Sequence, residues 1–128
     1  MSRQFTWKRK EKLKSRKRIE RVFREGQRFS LFPFKVCYLL QSSPAESPLQ
    51  AGFGASSRHF KKAVDRNRIK RLCREAYRLQ KQPLFQRLKE KGSSLAVFFI
   101  YTGKELPDYG TVTNKIGVLL QKLIKEME

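Results

Sequence analysis

The segment from Phe60 to Arg78 reads FKKAVDRNRIKRLCREAYR. Wound as a helix at about 100° per residue, it places Asn67, Arg71, Arg74 and Arg78 on one face, at spacings i, i+4, i+7 and i+11. Arg66, Arg68 and Lys70 flank that stripe, and Arg58, Lys61 and Lys62 precede it. Guanidinium forks bind phosphate oxygens two at a time, and Asn67 adds a donor and an acceptor that bare charge lacks. A solvated helix mixes signs at i, i+4, whereas this one sets only Asp65 and Glu75 against its cations. The pattern suits a phosphodiester backbone. Ile69, Leu72, Cys73, Ala76 and Leu79 share another face, which is expected to lie on a sheet.

Nothing comparable points to catalysis. The single histidine, His59, sits in a loop, and the acids are scattered without a carboxylate pair at a useful spacing. Cys37 and Cys73 are not in a CxxC pair and do not combine with His59 at metal-ligand spacing. They read as two reduced thiols of a cytoplasmic protein, with Cys73 packed in the core. No catalytic residue and no protein metal site is expected. The sequence argues for a binder of RNA.

The 128 residues carry 30 Lys and Arg against 11 Asp and Glu, a formal net charge of +19. Residues 1–30 and 58–91 hold 25 of those 30 cations, so the charge is a footprint and not a general solubilising coat. Hydrophobic residues make up 39% of the chain, which suits one core and one domain over residues 1–128. The longest apolar run, Leu95 to Tyr101, is far too short to span a membrane. The N-terminus lacks a signal-peptide apolar block, and Glu11 and Glu20 interrupt the basic run that a transit peptide would need.

The elements that must position the basic helix follow from periodicity. Residues 1–12 lack any and are expected to be a flexible basic arm. Leu13, Ile19, Val22 and Phe23 predict a short helix that stops at Gly26. Alternation over Phe34 to Leu40 predicts a strand, with an extra short strand near Arg28 to Leu31. A loop from Gln41 to Gln50, containing Pro44 and Pro48, leads to a strand over Ala51 to Ala55. Gly52 and Gly54 in that strand would permit close approach of a ligand. The basic helix is predicted over Ala63 to Gln80, ended by Pro83, followed by a buried strand over Val97 to Tyr101. A last helix, Thr111 to Met127, carries an apolar stripe of Val112, Ile116, Leu119, Leu120, Leu123, Ile124 and Met127. The order αβββαβα describes an α+β fold, with helices over a mixed sheet of about four strands. Most of the ten Phe belong in the core; Phe23, Tyr38 and Phe53 lie on or beside that sheet, where each either joins the core or, if exposed, stacks on unpaired bases.

The run Ala63 to Arg78, with Arg66-Asn67-Arg68 followed by Ile69-Lys70-Arg71 and then Arg74, resembles the RNR motif of the bacterial ribonuclease P protein component. Leu13-Lys14, the Val22-Phe23 helix with Gly26, the Val36-x-Tyr38 strand and Gly52-Phe53-Gly54 resemble that family in the same order. The resemblance covers roughly residues 8 to 125. It implies a two-layer α/β sandwich of the ribosomal protein S5 domain 2-like type, with a left-handed βαβ crossover against the usual preference. It implies a ribonucleoprotein that removes the 5′ leader from precursor tRNA and leaves a 5′-phosphate on the mature tRNA. The RNA subunit would hold the Mg²⁺ and perform the hydrolysis, with one protein monomer per RNA. Carried over by position, Arg58, Arg66, Asn67, Arg68, Lys70, Arg71 and Arg74 would contact RNA, and the local charge adds Lys61, Lys62 and Arg78 to that set. Phe23 and Tyr38 match aromatic positions of the leader cleft, and Ile19 and Phe53 are expected beside them. Ser57 stands where the family often has Lys, and Ile19 where it often has an aromatic.

Three other readings are open to the sequence. A structural RNA-binding protein of ribosomal type would share this charge and fold. A DNA-binding protein would need a partner helix just upstream of the basic one, which is missing from the pattern. A protein-only nuclease would need clustered acids or a histidine pair.

Overall fold

Alternation over Phe34–Gln41 sends Phe34, Val36 and Tyr38 to one face of a strand and Cys37 and Leu39 to the other. In a computed structural model of the chain, which describes residues 9–42 and 47–127, that strand is the second of a four-stranded mixed sheet. The strands are β1 (Gln27–Leu31), β2 (Phe34–Gln41), β3 (Leu49–Ala55) and β4 (Ser94–Tyr101), in spatial order β1-β2-β4-β3. β1 pairs with β2 and β2 with β4 antiparallel, whereas β3 and β4 are parallel, Gly52 facing Phe98 in register.

The helices are α1 (Arg16–Glu25), α2 (Ala63–Gln80), α3 (Gln82–Lys91) and α4 (Tyr109–Glu126). The main core lies between one sheet face and α2, α3 and α4. There Val112, Ile116, Leu119, Leu120 and Leu123 are buried, as the apolar stripe of α4 requires. The other face carries α1 and Leu13 of the N-terminal segment; Val22, with Ile19 and Phe23, packs there with Cys37, Ala96 and Phe98. α1 ends at Gly26, where the backbone turns extended, and only glycine fits because a Cβ there would collide with the carbonyls of Tyr38 and Val22. Asp108 caps α4 by accepting a hydrogen bond from the Thr111 amide at 2.7 Å.

The structure corrects the expected order in one place. Pro83 does not simply end the basic helix: it occupies the first turn of α3, where a missing N–H costs nothing. The order is therefore αβββααβα. α3 closes at Gly92, which adopts the left-handed conformation (φ 64°) and donates its amide to the carbonyls of Leu88 and Lys89.

A second correction concerns the basic arm. Residues 1–8 lie outside the described residues, as does the 43–46 stretch of the predicted loop, which includes Pro44. Arg9–Glu11, however, forms a 3-10 turn, and Lys12 bridges to Ala51 beside the β3 edge. The Leu13 amide donates to the Ala51 carbonyl at 2.9 Å, and the Gln50 side chain donates to the Lys10 carbonyl at 2.8 Å. Backbone pairing and burial, which composition does not reveal, fix these residues.

Candidate nucleic-acid interface

α2 is held by its buried side, Ile69, Cys73, Ala76 and Tyr77, against β3 and α4. Tyr77 takes the place that the sequence reading gave to Leu79, which is exposed. On the helical wheel Tyr77 lies nearer the centre of the buried arc, so angle outweighs apolarity. The Gln80 amide ties the helix to α4 by donating to the Thr113 carbonyl at 3.0 Å.

That anchoring turns the cationic side outward. Arg58, Lys61, Lys62, Asn67, Arg68, Arg71 and Arg74 are exposed, and Lys70 is half-buried. Among the described residues, no carboxylate lies within ion-pair distance of Arg68, Arg71 or Arg74. Two expected contact residues are already engaged. Arg66 donates to the Phe60 carbonyl at 2.7 Å and the Lys61 carbonyl at 2.9 Å, which fixes the turn into α2. Arg78 pairs with Glu75 at 2.5 Å, and that bond raises the Arg78 pKa and lowers that of Glu75. The cationic surface thus centres on Arg68, Arg71 and Arg74, with Asn67 and Lys70 among them.

Beside Arg74 opens a cleft of about 460 Å³. Its lining joins Lys12, Leu13 and Lys14 of the N-terminal segment, Ile19 of α1, Ala51, Gly52 and Phe53 of β3, and Phe98 of β4. The Phe98 ring meets Phe23 edge to face at 5.4 Å. A Cβ on Gly52 would fall 2.7 Å from the Phe98 ring, and one on Gly54 3.1 Å from it. The two glycines therefore admit the protein's own aromatic ring rather than a ligand.

The four expected cleft residues are not brought together. Ile19 lines the cleft, whereas Phe23, on the same sheet face, touches Phe98 and is not part of the lining. Tyr38 is buried on the opposite face, its ring edge-on to Phe29 at 5.9 Å. Phe53 borders the cleft, yet its ring is stacked on Phe99 at 5.3 Å within the main core. In a strand, one step in sequence changes the face, so Cys37 and Leu39 occupy the β2 positions toward α1. Sequence reasoning missed Lys12, Leu13, Lys14 and Phe98. Alternation within Ser94–Tyr101 was the available signal for Phe98, because it opposes Val97 and Phe99.

Both cysteines are buried and unbridged. Burial pushes the Cys73 thiol up to about 12, and it also raises that of Cys37, partly offset by Arg28 and Lys35. Among the described residues no three His, Cys, Asp or Glu side chains gather as a metal site, and no helix is long and apolar enough to cross a membrane.

A four-stranded α+β sandwich with a largely unneutralised cationic helix beside a cleft lined by aromatic rings is the layout of a protein suited to polyanions. Comparison with known proteins makes the class specific. The family model for Ribonuclease P matches residues 7–124. The Porphyromonas gingivalis ribonuclease P protein component is 39% identical over 102 residues, covering 80% of this chain and 74% of that one. The Desulfovibrio desulfuricans ribonuclease P protein component is 32% identical over 118 residues, covering 90% and 85%. The solved Staphylococcus aureus RNase P protein superposes with a TM-score of 0.59 at 19% identity, covering 92% of this chain and 95% of that one. The chain belongs to the ribonuclease P protein component family, and its role is that of a ribonuclease P subunit.

Proposed function

We propose that this subunit binds the catalytic RNA of ribonuclease P through the outer face of α2 and holds the 5′ leader of precursor tRNA in the adjoining cleft. The observation that carries this reading is the run of exposed Arg68, Arg71 and Arg74, without a carboxylate partner among the described residues, leading into a cleft lined by Phe98. Arginine forks along a rigid helix bind successive phosphates without reorganising. The Phe98 and Phe23 rings offer apolar surface to unpaired bases. In this reading hydrolysis, with its Mg²⁺, belongs to the RNA subunit. The protein's contribution is to favour leader-bearing tRNA over mature tRNA and to screen phosphate repulsion, so that the RNA holds its fold at modest salt. We place it in the cytoplasm, as one copy per RNA.

Reconstitution tests the proposal. The purified chain added to a ribonuclease P RNA should restore leader cleavage at low Mg²⁺, and it should lower the KM for precursor tRNA without tightening binding of mature tRNA. With about six phosphates neutralised, log affinity for RNA should fall with log salt at a slope of roughly −4 to −5. A flat salt response, or cleavage by the protein without RNA, would refute it.

A further inference from the structure

The N-terminal segment that edges the cleft is fastened by an unusual contact. Lys81, just past α2, donates from Nζ to Glu11 Oε1 at 2.6 Å, across 70 positions of sequence. Both side chains are buried, 3% and 9% exposed. Taking two opposite charges out of water is costly unless their geometry holds, and in some proteins such a pair serves to fix one arrangement over others. Here the arrangement fixed is local. The pair, the Gln50 bond to the Lys10 carbonyl and the Leu13–Ala51 backbone bond pin a strap, residues 9–14, beside β3. Immediately after Glu11 the strap delivers Lys12 and Lys14 to the same cleft that Arg74 lines. Without the strap, these cations would sit on loose chain and their order would have to be supplied on binding.

We propose that the Glu11–Lys81 ion pair is a latch that positions Lys12 and Lys14 as the phosphate-binding wall of the cleft for single-stranded RNA. Glu11 and Lys81 are positioning residues: buried, they act through the strap and touch no ligand. This rests on the cleft reading of the preceding section and adds to it what builds the cleft wall. Because Lys81 follows Arg71 by ten positions, about 15 Å of helix rise, the latch governs the cleft and not the grip of α2 on the catalytic RNA.

The test uses the full chain, a labelled hexauridylate as single-stranded probe, and a ribonuclease P RNA as the second ligand. Glu11→Gln and Lys81→Gln should each weaken hexauridylate binding about tenfold, the loss of roughly one well-held charged contact. Affinity for the catalytic RNA should stay within twofold. Hydrogen exchange should show the Leu13 amide released while the amides of β4 remain protected, which separates strap release from unfolding. The exchanged pair, Glu11→Lys with Lys81→Glu, should recover at least half of the lost binding energy. Ile19→Glu, which sets a carboxylate in the cleft lining, serves as the independent probe of the cleft. If Ile19→Glu weakens hexauridylate binding but both latch variants bind within twofold of the parent, the latch is overturned and the cleft reading stands. If Ile19→Glu also leaves binding unchanged, the cleft reading falls and the latch with it. Equal losses toward hexauridylate and catalytic RNA would likewise overturn the latch.

Discussion

Replacing Arg71 with alanine separates binding from folding more cleanly than any other change on α2. Its guanidinium is exposed, and among the described residues no hydrogen bond or ion pair engages it, so its removal disturbs no internal contact. Stability should change by no more than about 0.5 kcal/mol, the range for a surface position. A charge-assisted bond to phosphate contributes about 1.5–3 kcal/mol, so affinity for the catalytic RNA should drop by roughly ten- to 150-fold. Loss of one phosphate contact should also make the slope of log affinity against log salt shallower by about 0.7–0.9. Arg66→Ala provides the contrast. It deletes two bonds to the Phe60 and Lys61 carbonyls, and it should destabilise the fold by about 1–3 kcal/mol. The assay is anisotropy titration with labelled ribonuclease P RNA over a potassium chloride series, paired with urea denaturation of the same samples. An Arg71→Ala protein that keeps both parental affinity and parental slope would refute the assignment of this helix face to RNA.

Tyr38→Ala should destabilise the protein by about 3–5 kcal/mol in urea denaturation, with no selective loss toward leader-bearing tRNA, because its ring is buried away from the cleft. Phe23→Ala should weaken precursor tRNA binding by about 1–3 kcal/mol more than mature tRNA binding, measured in the reconstituted ribonucleoprotein. Gly52→Ala should destabilise by about 1–3 kcal/mol, since the added methyl meets the Phe98 ring and the Leu13 carbonyl. The Thr111 amide holds the Asp108 carboxyl below its ordinary pKa, so the cap's contribution is present above the unfolded carboxylate range and is lost as pH falls through the lower folded value. The melting-temperature gap between the parent and Asp108→Ala should accordingly close toward acid pH. Cys73 should resist thiol reagents at pH 8 in the native protein and react only on unfolding, because so little thiolate forms.

Elements whose pattern repeats were legible in the sequence. The stripe of α4, the alternation of β2 and the charged face of α2 each recur often enough to override any single misfit residue. Errors arose where one residue decided. Pro83 signals both a helix end and a helix start, and only the burial of Leu84 and Leu88 identifies α3. Leu79 and Tyr77 both could face the core by type, and the wheel angle selects Tyr77. Tyr38 and its neighbour Cys37 differ by one pleat, which moves an aromatic from the cleft to the opposite core. The Glu11–Lys81 contact had no local signature at all, since neither residue's neighbourhood hints at a partner 70 positions away.

The strap also has a consequence for how crowded copies of the chain behave. A bare outer strand is a template onto which a second chain can zip its own backbone. β3 would be such an edge, but Lys12 and Leu13 already occupy part of it. The opposite edge, β1, is only five residues long and presents Arg28 to solvent. Both margins of the sheet are thus poor seeds for β-aggregation between copies of the chain.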